Sequence, residues 1–373
     1  MGMKYGTGKH ELADKTILIG DALEILRGLG SGIARCAVTS PPYYGLRNYG
    51  IAGQMGLETS PDAYVAALIQ VFREVKRVLA DDGTLWLNLG DCYAANRGYQ
   101  VPSTKGGPKH GLAQAGQTNN QVPEGLKPKD LIGIPWMVAF AMRDNGWYLR
   151  SDIIWHKPNS MPESITDRPT KSHEYLFLFA KSPKYYYDAD AIREPFAAST
   201  LKQLAKPYTG QARKDYESAG AQNPSDTKRR IIESIRRSTN IQGEMSVRGV
   251  TRTTEGLNLK AMHQKCSNGG RNKRTVWTIP TQPFKGAHFA TFPERLVEPC
   301  ILAGSQPDDT VLDPFCGAGT TGVVALKHGR NFMGIELNPE YAKFAEQRMA
   351  KASEMALPNM SNMDARTDRE EVS

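Results

Sequence analysis

The sequence predicts an α/β chain built on a mostly parallel sheet. Three observations carry that expectation: a strand–helix–strand run with short turns near the N-terminus, a second such run near the C-terminus that passes through a glycine-rich turn, and between them two strand-like segments with no helical pattern separating them. A chain of 373 residues, 40% apolar and 23% charged, is long enough for one large α/β domain plus a smaller inserted or appended one. No uninterrupted apolar stretch approaches the roughly 18 residues needed to span a bilayer, and the first residues lack the apolar core of a secretory signal. Cys36, Cys92, Cys266, Cys300 and Cys316 lie far apart with no C-x-x-C pair. That spacing suits reduced thiols better than disulfides or a zinc site, so a soluble cytoplasmic protein without a bound metal is expected.

Residues 16–19 form a short β-rich run ending at Gly20 and Asp21, and residues 35–39 form another, stopped by Pro41 and Pro42. Ser60 and Pro61 open a helix as cap and first helical residue. Tyr64, Val65, Leu68, Ile69, Val71, Phe72, Val75, Val78 and Leu79 follow at helical spacing, and Asp81-Asp82-Gly83 is expected to end the helix before a buried strand over 84–89. From 94 to 130 the composition turns to Gly, Pro, Gln, Asn and Lys, a long loop that is either a linker or a functional segment. Residues 131–145 look helical apart from Pro135. Residues 148–155 and 174–179 read as strands, an antiparallel pair at one sheet edge. In the C-terminal block, 292–302 begins a helix that Pro299 is expected to bend; 310–312 is a strand, 320–328 a helix, 331–335 a strand and 339–349 the last helix. A polar, frayed tail is expected from about residue 350.

The net charge of +8 is localised. Residues 201–275 hold 16 Lys plus Arg against 6 Asp plus Glu, which leaves 31 basic against 33 acidic groups elsewhere. A solvated basic surface accounts for this, and so does a polyanionic partner such as nucleic acid, whose counterions are released on binding.

Two constellations carry chemistry. Asp313-Pro314-Phe315-Cys316-Gly317-Ala318-Gly319-Thr320-Thr321 reads as strand, glycine-rich turn and helix start, where backbone approaches a ligand and helical N–H groups are free. Glu336 closes the next strand and can accept hydrogen bonds from ribose hydroxyls. Together they indicate a nucleoside-containing cofactor, and the pair alone is compatible with a nicotinamide dinucleotide. The second constellation, Thr39-Ser40-Pro41-Pro42-Tyr43, follows a strand end. The prolines remove backbone donors, Ser40 and the Pro41 carbonyl can accept, and Tyr43 offers a flat ring, which suits an exocyclic amine on a nucleobase. A proline-rich turn with Tyr43 packed in the core reads the same residues blandly.

The two motifs resemble those of amino-directed DNA methyltransferases that use S-adenosylmethionine. Asp313 to Thr321 is similar to their cofactor motif and Thr39 to Tyr43 to their catalytic motif; the catalytic motif comes first with the basic interval between, an order similar to the β group. Gly20-Asp21-Ala22-Leu23, Trp155-His156-Lys157-Pro158 and His173-Glu174-Tyr175-Leu176-Phe177 resemble further family segments, and 288–293 sits where the remaining cofactor motif is expected, in a divergent form.

The resemblance implies a Rossmann-like, seven-stranded, mostly parallel sheet with an antiparallel edge pair, circularly permuted motif order and an inserted basic target-recognition region. It divides the chain into a catalytic half over 1–198, a recognition region over 199–275, a cofactor half over 276–350 and a tail over 351–373. It implies Ser40, Pro41, Pro42 and Tyr43 as the catalytic group, and Asp21, Phe289, Asp313, Phe315, Gly317, Gly319, Thr320, Thr321 and Glu336 at S-adenosylmethionine, which leaves as S-adenosylhomocysteine. Phosphate contacts are expected from Lys228, Arg229, Arg230, Arg236 and Arg237. Arg47 and Asn48 are either further contacts or solvated, as are Arg97, Lys105, Lys109, Lys127 and Lys129 of the long loop. The implied partner is double-stranded DNA, with a homodimer and a separate cognate endonuclease also implied. The implied reaction moves a methyl group to the amino nitrogen of a flipped base. Ser at position 40 resembles the cytosine-N4 subgroup, with adenine N6 the alternative. A non-catalytic DNA-binding protein on the same scaffold would explain the charge alone, and a protein or RNA methyltransferase is less favoured.

Overall fold

Five neighbouring parallel strands form one side of an eight-stranded sheet, in a computed structural model that describes residues 15–46, 50–94, 122, 125–195, 270–282 and 292–367. The strands are β1 (Lys15–Ile19), β2 (Ala34–Thr39), β3 (Leu79–Leu89), β4 (Tyr148–His156), β5 (His173–Ala180), β6 (Val276–Thr278), β7 (Thr310–Asp313) and β8 (Asn331–Glu336), in the order β1-β8-β7-β2-β3-β5-β4-β6. β1, β8, β7, β2 and β3 are mutually parallel, β5 is antiparallel to both β3 and β4, and β6 runs parallel to β4. The C-terminal strands β7 and β8 therefore insert between the N-terminal strands β1 and β2. One sheet is made from segments nearly 300 residues apart, and this places the two motifs side by side.

The helices are α1 (Ala22–Gly28), α2 (Pro61–Val78), α3 (Ile134–Asp144), α4 (Glu294–Gly304), α5 (Thr320–Lys327) and α6 (Pro339–Thr367). α2 starts as its sequence dictates: the Ser60 hydroxyl accepts from Ala63 N at 3.1 Å, Pro61 sits in the first turn, and the apolar face from Tyr64 to Val78 is buried. α3 admits Pro135 because it falls in the first turn, where no intrahelical N–H is needed. Its free N–H groups are met by Asp91, whose carboxylate accepts from Gly133 N at 3.0 Å and Ile134 N at 3.1 Å. The core beneath these helices includes Tyr64, Phe72, Leu85, Leu87, Phe177 and Phe179.

The structure departs from the sequence expectations in four places. The sheet has eight strands rather than seven, because three residues at β6 pair beyond β4; β4 is thus not the sheet edge. β3 begins at Leu79, directly after α2, so Asp81-Asp82-Gly83 lie within a strand. The register against β2 jumps between Ala34 and Cys36, and a β-carbon at Gly83 would stand 2.9 Å from the Ala80 carbonyl oxygen, so the extra residues fold into an irregularity that only glycine fits. α1 is an addition to the expected elements; seven residues show little periodicity, although Asp21 caps it by accepting from Glu24 N at 3.0 Å. α6 runs to Thr367 rather than ending near 349, carried by helix formers such as Ala350, Lys351 and Glu354.

Residues 1–188 with 274–373 form one compact unit and residues 189–273 a second. Within the second, Glu194 and Arg271 exchange backbone hydrogen bonds at 2.9 and 2.8 Å. Among the described residues no helix is long and apolar enough to cross a membrane, and no group of three His, Cys, Asp or Glu could hold a metal ion.

Candidate active site

In an open parallel sheet, ligands bind beyond the carboxyl ends of the strands. Here the ends of β1, β2, β7 and β8 border one cavity of about 890 Å³, within the usual range of ligand pockets. Gly20 and Asp21 follow β1, Ser40 to Tyr43 follow β2, Pro314 to Ala318 follow β7, and Glu336 to Asn338 end β8; all of these line the cavity, as does Thr320 at the start of α5. The Ser40 side and the Gly317 side therefore face the same space.

Beneath the cavity the two motifs are tied together. The Asp313 carboxylate, 1% exposed, accepts from Thr39 Oγ1 at 2.6 Å, Thr321 Oγ1 at 2.7 Å and Phe315 N at 3.1 Å. Thr321 Oγ1 also reaches the Val38 carbonyl at 3.3 Å. One side chain thus links the end of β2, the end of β7 and α5. Burial, partly offset by these hydrogen bonds, raises the Asp313 carboxyl to about 6. Asp313, Gly319 and Thr321 do not line the cavity. Gly319 has φ 74°, and a β-carbon there would stand 2.7 Å from the Ala345 β-carbon, so this glycine lets α6 approach.

Glu336 lines the cavity with both oxygens engaged: Oε2 accepts from Gly317 N at 2.7 Å and Oε1 from Asn338 N at 2.8 Å. Burial raises its pKa above the usual glutamate value. Phe292, Phe315, Ile335, Leu337 and Tyr341 add apolar and aromatic surface. Two carboxylates (Asp21, Glu336), aromatic faces and a glycine turn at the cavity wall fit S-adenosylmethionine, which combines an aromatic base, a ribose and a cationic sulfonium.

On the β2 side, Tyr43 is seated by its neighbours. A β-carbon at Gly90 would stand 2.5 Å from Tyr43 Cε2, so the ring occupies space that only glycine leaves. The Tyr43 hydroxyl lies 2.7 Å from Glu174 Oε2, 3.1 Å from Asn88 Oδ1 and 3.4 Å from Ser40 Oγ. Its pKa is pushed well above the usual phenol value, first by burial and then by the Glu174 charge. The Pro42 carbonyl is taken by the Tyr64 hydroxyl at 2.8 Å. Glu174 is ion-paired with Lys157, whose ammonium lies 4.3 Å from the centre of the Trp155 ring.

Asn88, Trp155, Lys157, Lys171 and Glu174 all line the cavity, yet no role follows for them from the sequence. Their signal is a polar or charged residue at the end of an apolar strand, as in Asn88 among Leu85–Leu89 and Glu174 before Tyr175–Phe179. Arg47, Asn48, Arg97, Lys105, Lys109, Lys228, Arg229, Arg230, Arg236, Arg237 and Phe289 lie outside the described residues. Of the basic residues placed in the 94–130 loop, Lys127 pairs with Asp130 at 3.1 Å and Lys129 with Asp167 at 2.6 Å.

Comparison with known proteins agrees with this geometry. Residues 34–347 match the DNA methylase family of N6- and N4-type enzymes. The chain is 47% identical to Type II methyltransferase M.Cfr9I of Citrobacter freundii over 340 residues, covering 91% of this chain and 89% of that one. It is 43% identical to M.SmaI of Serratia marcescens over 335 residues, covering 90% of each. Among solved structures, the cytosine-N4-specific PvuII DNA methyltransferase superposes with a TM-score of 0.54 at 18% identity, covering 92% of each chain, a likeness of fold. A Thermus thermophilus protein solved with S-adenosyl-L-methionine superposes with a TM-score of 0.50 at 22% identity, covering 91% of this chain and 95% of that one.

Proposed function

This chain belongs to the DNA methylase family of N6- and N4-type enzymes, and from that premise we propose that it is a site-specific Type II DNA methyltransferase acting on the exocyclic amino group of a flipped base, cytosine N4 in preference to adenine N6. The observation that carries the reading is the single cavity bordered by both Ser40 and Gly317.

S-adenosylmethionine, when bound, supplies a methyl group activated on a sulfonium. Asp21, Phe315, Gly317, Thr320 and Glu336 are the residues that hold it; Asp313, Thr321 and Gly319 act from behind, by fixing the turn. The target nucleotide must leave the duplex, because its amino nitrogen is not reachable within the stack. Tyr43 offers the exposed part of its ring for stacking, a contact worth roughly 1–3 kcal/mol by analogy with single-strand binding. Ser40 and the Pro41 carbonyl accept the amine's hydrogens. This frees a nitrogen lone pair otherwise delocalised into the base and aims it across the cavity, where proximity and alignment do most of the catalytic work. The amine's surplus proton passes to solvent.

A neutral hydroxyl at position 40 favours cytosine N4. Mass spectrometry of nucleosides from duplex DNA incubated with the protein and S-adenosylmethionine decides the base: N4-methylcytosine is expected, and N6-methyladenine alone would reverse the preference. Residues 199–275 are proposed as the recognition region, with Lys228, Arg229, Arg230, Arg236 and Arg237 on phosphates. The relatives' Type II names support a separate cognate endonuclease. A homodimer is testable by light scattering.

A further inference from the structure

A hydroxyl can donate or accept, so Ser40 serves as an acceptor for an amine only if something commits its proton elsewhere. We propose that Glu174, anchored by Lys157, is a positioning residue that sets the proton direction of the Ser40–Tyr43 pair, so that Ser40 meets the target base as an acceptor. The inference rests on the amino-methyltransferase reading of the site.

The bonding rules leave one arrangement. Glu174 Oε2 lies 2.7 Å from the Tyr43 hydroxyl and 3.2 Å from Asn88 Nδ2, while Oε1 is paired with the Lys157 ammonium. A carboxylate has no proton to give, so the phenol donates to it. Asn88 does not reverse this. Its Nδ2 also donates to the Tyr175 carbonyl at 3.1 Å, which turns Oδ1, a second acceptor, toward the phenol at 3.1 Å. The phenol's only proton is therefore drawn away from Ser40, and its oxygen is left to accept from Ser40 Oγ at 3.4 Å. With its proton so placed, Ser40 keeps its lone pairs for the cavity it lines. The opposite polarity would consume one lone pair and point the serine proton at the amine's own hydrogens.

The anchor is well placed for this task. The Lys157 and Glu174 side chains are 19% and 15% exposed, so water competes little for their charges. Lys157 directly follows β4 and Glu174 lies in β5, and the register between these strands pairs Trp155 with Glu174 directly. Gly90 seats the Tyr43 ring independently of its hydroxyl, so ring position and proton direction are separable by mutation.

Glu174→Gln keeps the shape and removes the charge. Lys157 then draws the amide oxygen, the amide NH2 turns toward Tyr43 and Asn88, and the phenol keeps only the longer, neutral acceptor Asn88 Oδ1, so its proton is no longer firmly held away from Ser40. The test compares wild type, Glu174→Gln, Tyr43→Phe and the double variant. The readouts are kcat and KM for methyl transfer to genomic DNA from a host lacking the enzyme, S-adenosylmethionine affinity by calorimetry, and thermal unfolding. In Glu174→Gln, kcat is expected to fall about ten- to hundredfold, the scale of a hydrogen bond to a charged group. Cofactor affinity and KM for DNA stay within twofold. Tyr43→Phe shows a comparable loss, and the double variant loses no more than the worse single one, because both changes break one chain. Unchanged kcat in either single variant, additive losses, or a Glu174→Gln defect that appears as lost cofactor binding or lost folding overturns the inference. The wild type separates the two levels: if it transfers no methyl to DNA, the proposed function falls and this falls with it, whereas an active wild type beside an equally active Glu174→Gln removes this inference alone.

Discussion

Asp313→Asn is the substitution whose outcome follows most directly from the geometry. The native carboxylate is buried among Thr39, Thr321 and Phe315 N, and its carboxyl is raised from 3.8 to about 6, chiefly by loss of solvation. Because the folded value lies above the unfolded one, this group's stabilising contribution is complete below about pH 4 and is lost as the pH rises through 6. A rise of that size corresponds to about 3 kcal/mol between the two limits, as an order of magnitude. Asparagine retains an oxygen for Thr39 and Phe315 N, and its NH2 can donate to Thr321 Oγ1, whose own proton turns to the Val38 carbonyl already 3.3 Å away. The variant thus keeps the link between the motifs and loses the titration. Urea unfolding of both proteins from pH 4 to 8 is the assay; subtracting the two curves cancels the other titrating groups. The stability of Asp313→Asn relative to wild type should climb by about 2 kcal/mol of that total between pH 4 and 6.5 and level off above it. A difference that stays flat across the range would show that burial does not raise the carboxyl into it, and the desolvation argument for Asp313 would be wrong.

Gly90→Ala drives a methyl group into the Tyr43 ring and should lower kcat at least tenfold while S-adenosylmethionine affinity stays within twofold; equal loss of both would place the fault in folding. Glu336→Ala frees the Gly317 and Asn338 N–H groups and removes a cavity carboxylate, so calorimetry should record cofactor binding weakened about ten- to hundredfold. Unaltered affinity there would remove Glu336 from the cofactor's side of the cavity. Neutralising Lys228, Arg229 and Arg230 together should flatten the dependence of log K for DNA on log salt, by about 0.9 for each phosphate that is no longer neutralised; an unchanged slope would take these residues off the backbone.

Much of this architecture is legible because the signals are local. Ser60 and Pro61 announce α2, and the apolar repeat from Tyr64 to Val78 fixes its buried face. Pro41 and Pro42 stop β2 at the place where chemistry begins. The elements without a local signal depend on distant partners. β6 is three residues long and exists through its pairing with β4, and Gly83 reads as a helix stop because its real constraint is a neighbouring carbonyl rather than a turn. The site shows the same division. Ser40, Tyr43, Gly317 and Glu336 stand in short motifs and reach the cavity as expected from their strand ends. Asn88, Lys157 and Glu174 come from separate segments around β3, β4 and β5, whose adjacency no local pattern announces, and Asp313 turns out to sit behind the wall because side-chain direction at a strand end is set by packing.

Single-turnover transfer from labelled S-adenosylmethionine, preloaded on wild type and on Ser40→Ala and mixed with excess duplex DNA, tests most directly whether the β2 and β7 ends form one reaction chamber. Both proteins should bind the cofactor equally, with label appearing in the DNA at least a hundredfold more slowly for Ser40→Ala, roughly the size of one catalytic hydrogen-bonding group. Transfer at the wild-type rate without the Ser40 hydroxyl would contradict a single chamber.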